Sequence, residues 1–284
     1  MSIVVTGATG HLGRHVVDGL LEEVPADRII AVVRNPAKAA PIAAKGVKLH
    51  VAEYNAPETF DGLFAAGDKV LLISSSEVDK DRVAQHEVVI DAAKAAGAAL
   101  LAYTSAPGNL TAALADDHRG TEQAILGSGL PYVLLRNNWY SEVYTAQIAS
   151  VVEHGAVVQA AGEGRIASAA RADYAAAAVA VLTSEGHENK TYELSGDTAW
   201  NFAEYAAELS KQTGAEIGYQ PVSGDAYADI LTGAGLPGGL AAIMASVDAS
   251  IEKGELASTS GDLSRLTGRP TTPIADSIAG ALNG

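Results

Sequence analysis

Six short, largely apolar runs punctuate the first half of the chain, at residues 3–5, 29–33, 47–51, 69–74, 99–105 and 131–136. Alanine-rich stretches of helical length separate them. A run that is apolar at successive positions, rather than at alternate ones, suits a strand buried on both faces. Strand–helix alternation then requires crossover helices and a parallel sheet. The pattern therefore predicts a doubly wound α/β fold. Past about residue 145 the rhythm loosens. A strand is expected at 156–158, a helix at 173–184, a strand at 190–194 and a helix at 201–213, followed by turns and short helices. The 173–184 helix is apolar on nearly every face, which predicts burial. The expected organisation is a parallel-sheet domain over 1–155 and a smaller, irregular α/β domain over 156–284 that caps it, with segments crossing between the two.

Length and charge narrow the picture. A chain of 284 residues suits two domains, or one large domain with a cap. Its 34 acidic and 19 basic residues give a net charge of −15, which repels phosphate backbones and anionic lipid. Neither nucleic acid nor a membrane surface is an expected partner. The absence of cysteine excludes disulfides, thiolate metal sites and cysteine nucleophiles. His11 and His15 lie four apart on a helix but have no third ligand in sequence, so no metal is expected. The opening MSIVVTGATG reads as a working strand and not as a secretory signal. No apolar stretch reaches the roughly 18 residues of a membrane helix. The cytoplasm is the expected location.

The chemistry starts at Thr6-Gly7-Ala8-Thr9-Gly10-His11-Leu12-Gly13, which follows the first strand directly and opens a helix. Gly7 permits the tight turn, Gly10 lets the backbone approach a pyrophosphate, and Gly13 lets the helix pack on the strand. The helix N-terminus supplies free N–H groups and partial positive charge for the anion. This context makes the fold a Rossmann-type sheet and the first domain a dinucleotide site. Arg34 closes the second strand, where NAD-dependent folds carry an acidic residue for the ribose 2′-hydroxyl; an arginine suits a 2′-phosphate, so NADPH is the expected cofactor. Asn35 and Lys38 are neighbours of the same pocket.

TGATGxLG, with its first two glycines three apart, resembles the short-chain dehydrogenase superfamily. Members of that superfamily use a Tyr-x-x-x-Lys pair to donate the proton that follows hydride transfer, yet none of the ten tyrosines here has a lysine four residues on. Ketone reduction creates an alkoxide of high basicity and needs a positioned acid. A quinone yields an aromatic hydroquinone anion, stable enough to take its proton from water. What survives is therefore a reductase of strongly electrophilic acceptors, or a cofactor sensor without turnover.

The segments TGATGHLG, AVVRNPAKA, LLISSSEV, QHEVVIDAAKAAG, AYTS, LLRNNWYSE and RADYAAA together resemble the NmrA-like branch of the atypical short-chain dehydrogenases, and within it the bacterial NADPH:quinone oxidoreductases. The similarity runs along the whole chain. It implies hydride transfer from NADPH to a small quinone in an interdomain cleft. The implied cofactor residues are Thr6 to Gly13, Arg34, Ser74, Ser75 and Ser76 on the ribose and nicotinamide side, and the loop Asn137, Asn138, Trp139, Tyr140, Ser141 and Glu142 beside the nicotinamide. Asn138 stands where related sequences have glycine. The three serines have a plainer reading as caps of the next helix. Trp139 and Tyr140 are either flat surfaces for a quinone or ordinary core aromatics. Tyr140 and His118 are the candidate catalytic residues. His118 and Glu122, four apart on a helix, read either as a proton relay or as a surface pair. Hydroxyls of Tyr103, Thr104 and Ser105 either face the cleft or satisfy internal groups. The alternative function is an NADP(H)-binding redox sensor; reduction of an azo dye or an activated alkene is a third reading. A homodimer is left open as the assembly.

Overall fold

All six apolar runs of the first half form strands. In the computed structural model, which describes residues 1–283, the elements follow in order: β1 (Ile3–Val5), α1 (His11–Glu23), β2 (Ile29–Val33), α2 (Ala40–Ala43), β3 (Lys48–Val51), β4 (Lys69–Leu72), α3 (Arg82–Ala96), β5 (Leu100–Ser105), α4 (Leu114–Ser128) and β6 (Tyr132–Asn137). There follow α5 (Glu142–Thr145), α6 (Ile148–His154), β7 (Ala156–Gln159), α7 (Arg171–Thr183), β8 (Lys190–Leu194), α8 (Phe202–Thr213), β9 (Gly218–Pro221), α9 (Gly224–Gly233), α10 (Gly238–Glu252), α11 (Asp262–Thr267) and α12 (Ile274–Asn283). The chain forms two compact units, each discontinuous in sequence. The first comprises Met1–Ala106, Asp116–Asn137 and Arg171–Tyr192; the second comprises Pro107–Ala115, Asn138–Ala170 and Glu193 onward.

The main sheet has the order β3-β2-β1-β4-β5-β6-β8. Its pairs are parallel, with Ile3 opposite both Ile29 and Lys69, Leu72 opposite Tyr103 and Tyr103 opposite Leu134. Two further bonds, Asn189 N–H to the Tyr132 carbonyl and Asn138 N–H to the Leu194 carbonyl, advance in the same sense along β6 and β8, so β8 is parallel as well. Strand order reverses between β1 and β4, which sets their carboxyl ends side by side. In an open parallel sheet this is where a crevice for ligand lies.

The burial that holds the first unit together follows the apolar runs. Val4, Val70, Leu72, Leu101, Tyr103 and Leu134 pack with Val89, Ile90 and Ala93 of α3 in one cluster. On α7 the apolar positions are buried on nearly every face, as its composition requires. Gly19 of α1 faces Val179 of α7, where a Cβ would lie 3.0 Å from the valine Cγ2.

In the second unit β7 and β9 form a two-stranded parallel ladder. An aromatic cluster surrounds Tyr144, whose ring meets Trp200 edge-on at 5.3 Å and Phe202 at 5.2 Å. Asp248, on α10, is buried and accepts the Ala160 N–H at 2.6 Å. The helix at 201–213 is realised as α8, started by a capping box between Asn201 and Glu204 and ended by Gly214 in the left-handed conformation. The expectation of turns and short helices beyond it needs correction, because α10 runs for 15 residues and β9 is a strand. The glycines at 238 and 239 occupy the first turn of α10, so they mark its start and do not interrupt it. Among the described residues no helix is long and apolar enough to cross a membrane.

Candidate functional site

The glycine loop joins β1 to α1 at the point where strand order reverses. Gly7 has φ +60°, a conformation glycine adopts without steric cost, and its carbonyl accepts the Gly10 N–H at 2.9 Å. Gly13 packs against the loop so closely that a Cβ there would lie 2.3 Å from the Gly7 oxygen. Gly7, Gly10 and His11 are exposed and Thr9 is half-buried, while Ala8 and Leu12 turn inward. No side chain caps α1 and its first turn holds no acidic residue. The amides at this helix start are thus left for an anion, as a pyrophosphate site requires.

Thr6 serves the scaffold. Its hydroxyl donates to the Leu71 carbonyl and accepts from the Ile73 N–H at 3.0 Å, which ties the end of β1 to the end of β4. The Tyr54 hydroxyl reaches both Thr6 Oγ1 at 2.6 Å and the Ile73 carbonyl at 2.8 Å. Burial raises the Tyr54 pKa, so it remains a neutral donor. Arg14 braces the loop from the far side, its Nε donating to the Thr9 carbonyl at 2.9 Å. Neither Tyr54 nor Arg14 is marked by a motif; Tyr54 reaches Thr6 and Ile73 only through the fold, while the Arg14 contact is local.

Arg34 leaves the end of β2 with 62% of its side chain exposed, and its Nη1 lies 2.7 Å from Glu77 Oε1. Asn35 is committed locally, since its Oδ1 accepts the Ala37 N–H and starts the turn at 36–39. Lys38 is exposed in that turn. Beyond β4, the Ser74 N–H donates to Thr104 Oγ1 at 2.9 Å and the Ser75 N–H to His86 Nε2 at 2.8 Å. Ser75 Oγ accepts the Glu77 N–H and the Ser75 carbonyl accepts Arg82 Nε. Ser76 is exposed. The capping alternative for these serines is not realised, because Asp81 caps α3 by accepting the Ala84 N–H.

Behind that strand end lies a closed polar network. His86 Nε2 accepts from Ser75, so its Nδ1 carries the proton and donates to Thr121 Oγ1 at 2.8 Å. Arg82 Nη2 approaches His118 Nε2 at 3.4 Å, which leaves the His118 proton on Nδ1, directed at the Tyr103 hydroxyl 2.9 Å away. Burial, with the Arg82 charge beside it, pulls both imidazole pKa values down to about 3. Both rings are therefore neutral near pH 7. The surface-pair reading of His118 and Glu122 is corrected: both are buried, and Glu122 accepts from Ser105 Oγ at 2.6 Å and from Arg136 Nη2 at 2.7 Å. Tyr103, Thr104 and Ser105 likewise spend their hydroxyls on internal partners, the second of their two readings. The sequence motif QHEVV held His86 in plain view, yet its partners, Ser75 beyond β4 and Thr121 of α4, are invisible along the chain.

Asn137 ends β6, buried. In the second unit, Asn138 donates its N–H to the Leu194 carbonyl and its Nδ2 to the Leu256 carbonyl, while its Oδ1 accepts the Trp139 N–H. Asn138 has a negative φ, so the exchange of glycine for asparagine creates no backbone strain here. Trp139 and Tyr140 are half-buried, and Tyr140 pairs with Ala169 in an isolated parallel bridge. Ser141 is fully buried, with its Oγ 3.0 Å from Ser168 Oγ, which also accepts Trp200 Nε1. Ser141 thus anchors the loop, and Glu142, half-buried, opens α5.

Comparison with known proteins finds likenesses along nearly the whole chain. The NAD(P)H-binding family matches residues 7–185. The chain is 48% identical over 283 residues to Quinone oxidoreductase 2 of Escherichia coli (strain K12), with 99% of each chain covered. Its backbone matches the crystal structure of an NADPH-dependent quinone oxidoreductase from Escherichia coli complexed with NADPH at a TM-score of 0.95 and 48% identity, over 99% of this chain and 100% of that one. It also matches the Citrobacter sp. triphenylmethane reductase complexed with NADP(H), at a TM-score of 0.93 and 40% identity, over 99% and 100% of the two chains.

Proposed function

The chain belongs to the NAD(P)H-binding family, and we propose that it is an NADPH-dependent oxidoreductase of the NmrA-like kind that reduces quinones. The observation that carries this reading is the full-length likeness to a quinone oxidoreductase on a chain whose own glycine loop is built for a pyrophosphate. The residues fit the cofactor: Gly7 turns the chain, Gly10 and His11 leave the helix start open, and Gly13 closes the helix onto the loop. Arg34 is the proposed 2′-phosphate ligand. Ser74, Ser75 and Ser76 border the ribose side, and the 137–142 segment borders the nicotinamide side, with Trp139 and Tyr140 as the flat surfaces offered to the acceptor. When bound, NADPH supplies the hydride.

Protein groups then bind and orient without donating a proton. His118 is neutral with its proton engaged by Tyr103, and no tyrosine has a lysine four residues on. The hydroquinone anion therefore takes its proton from water. We place this activity in the cytoplasm, in keeping with the cysteine-free sequence. Anaerobic stopped-flow of the NADPH complex with 1,4-benzoquinone tests the proposal. Single-turnover oxidation of NADPH is expected, with a rate constant nearly flat from roughly pH 6 to 8.5, the range in which an ordinary histidine finishes titrating. Simple ketones should react poorly. Tight NADPH binding without quinone reduction would instead establish the sensor reading.

A further inference from the structure

We propose that Glu77 competes with the cofactor 2′-phosphate for the Arg34 guanidinium, and so sets how strongly the site prefers NADPH over NADH. The proposal rests on the reading of Arg34 as the 2′-phosphate ligand.

The geometry around Glu77 is that of a fixed anion. One carboxylate oxygen lies 2.7 Å from Arg34 Nη1. The other accepts Gln85 Nε2 at 2.7 Å and Asn55 Nδ2 at 3.1 Å, and the Glu77 N–H is held by Ser75 Oγ at 3.2 Å. Gln85 is buried on α3 and also reaches the Asn55 side-chain oxygen, which locks the two amides to each other. Two neutral amide donors from separate segments therefore hold the Glu77 carboxylate, and Ser75 Oγ accepts its N–H, whichever way Arg34 turns. Those donors lower its pKa, Gln85 and Asn55 foremost, so it stays ionised at working pH. Arg34 is the more exposed partner, with 62% of its side chain in solvent against 26% for Glu77.

A 2′-phosphate dianion entering this corner must take the guanidinium from a carboxylate that does not leave, or share it. A 2′-hydroxyl brings no charge and meets no such contest. Glu77 thus weakens NADPH and spares NADH, narrowing a discrimination that Arg34 alone would make wider. Because the pair is largely solvated, the effect is a few-fold and is screened by salt.

The test is a binding cycle read by isothermal titration calorimetry with NADPH and NADH, on the wild type, Glu77→Gln, Glu77→Asp, Arg34→Ala and the Arg34→Ala/Glu77→Gln double variant. Glu77→Gln should tighten NADPH by about three- to fivefold while NADH changes by less than about twofold. The gain should shrink at roughly 0.5 M salt, and Glu77→Asp, which keeps the charge, should behave as wild type. In Arg34→Ala, NADPH should weaken far more than NADH, and adding Glu77→Gln should bring no further gain. Weaker NADPH binding in Glu77→Gln would overturn the proposal and make Glu77 a positioning residue for Arg34. A gain that persists in the Arg34→Ala background would overturn it too, because Glu77 would then act on the phosphate directly. Equal loss of both dinucleotides in Arg34→Ala overturns the reading of Arg34 itself, and is seen independently of any Glu77 variant.

Discussion

Gly13 and Gly10 are both motif glycines, but their neighbourhoods differ in kind. A Cβ on Gly13 would meet the Gly7 carbonyl oxygen at 2.3 Å and Ala8 Cα at 2.8 Å, whereas one on Gly10 would meet only the Gly7 oxygen, at 3.1 Å. Backbone atoms cannot rotate aside, so Gly13→Ala must separate α1 from the loop. A loss of about 1–3 kcal/mol in folding stability is expected, the usual range for overpacking. Gly10→Ala asks for a shift of a few tenths of an ångström, and under the proposed pyrophosphate role its methyl would crowd the anion. It should keep the urea midpoint nearly unchanged and still weaken NADPH. Similar midpoint losses in the two variants would show that the motif spacing does not separate packing from binding. The packing role of Gly13 was readable in the sequence because it acts on backbone only a few residues away. Glu77 was not readable: it follows Ser76 directly, yet what defines it is Arg34, 43 residues earlier.

At the scale of elements, the packing of α1 on α7 explains both what the pattern revealed and what it hid. The alanine–valine helix at 171–183 announces its burial by lacking any polar face, and the structure buries it. Its partner is concealed, because Gly19 looks like a helix-weakening residue until Val179 is seen against it. Gly19→Leu should therefore destabilise the protein by about 1–3 kcal/mol through overpacking, and Val179→Ala should recover much of that loss when the two are combined. Additive losses in the double variant, measured by urea unfolding, would mean that the two positions do not share the contact. The same logic accounts for the second unit. Strands β7 and β9 are four residues each; β7 alternates half-buried and buried positions, and β9 is exposed at three of its four, so β9 carries no apolar run to mark it. Helix α10 hid behind its own leading glycines, whose turn-forming character outweighs, along the chain, the Leu-Ala-Ala-Ile-Met-Ala that follows.

For the whole molecule, the buried titratable groups make opposing contributions to stability as pH changes. His86 and His118 have folded pKa values lowered to about 3 from 6.5, so they stay neutral in the native state while the unfolded chain protonates them below about pH 6.5. Their contribution is fully present above that pH and is lost as pH falls toward 3. Asp248 has its pKa raised by burial from 3.8 to about 7, so the native state keeps a proton that the unfolded chain has already released. Its contribution is present below the unfolded value and is lost as pH rises through about 7. Near pH 5 the unfolded chain thus binds two more protons at the histidines and one fewer at the aspartate, a difference of one. Stability should rise with pH there at about 1.4 kcal/mol per unit, and flatten toward pH 6.5 as the histidines finish titrating. The carboxylates whose pKa values are lowered, Glu77, Glu204, Glu208 and Glu255, act mainly below pH 5 and steepen the rise at the lower end of this window, and His187, whose pKa is also lowered, adds in the same sense. Asp248→Asn keeps an acceptor for the Ala160 N–H but removes the opposing proton, so the slope between pH 5 and 6 should roughly double. His118→Gln should bring it close to zero. Urea midpoints taken at half-unit steps across that range decide the matter, and an Asp248→Asn slope equal to that of the wild type would show that Asp248 is ionised in the folded protein.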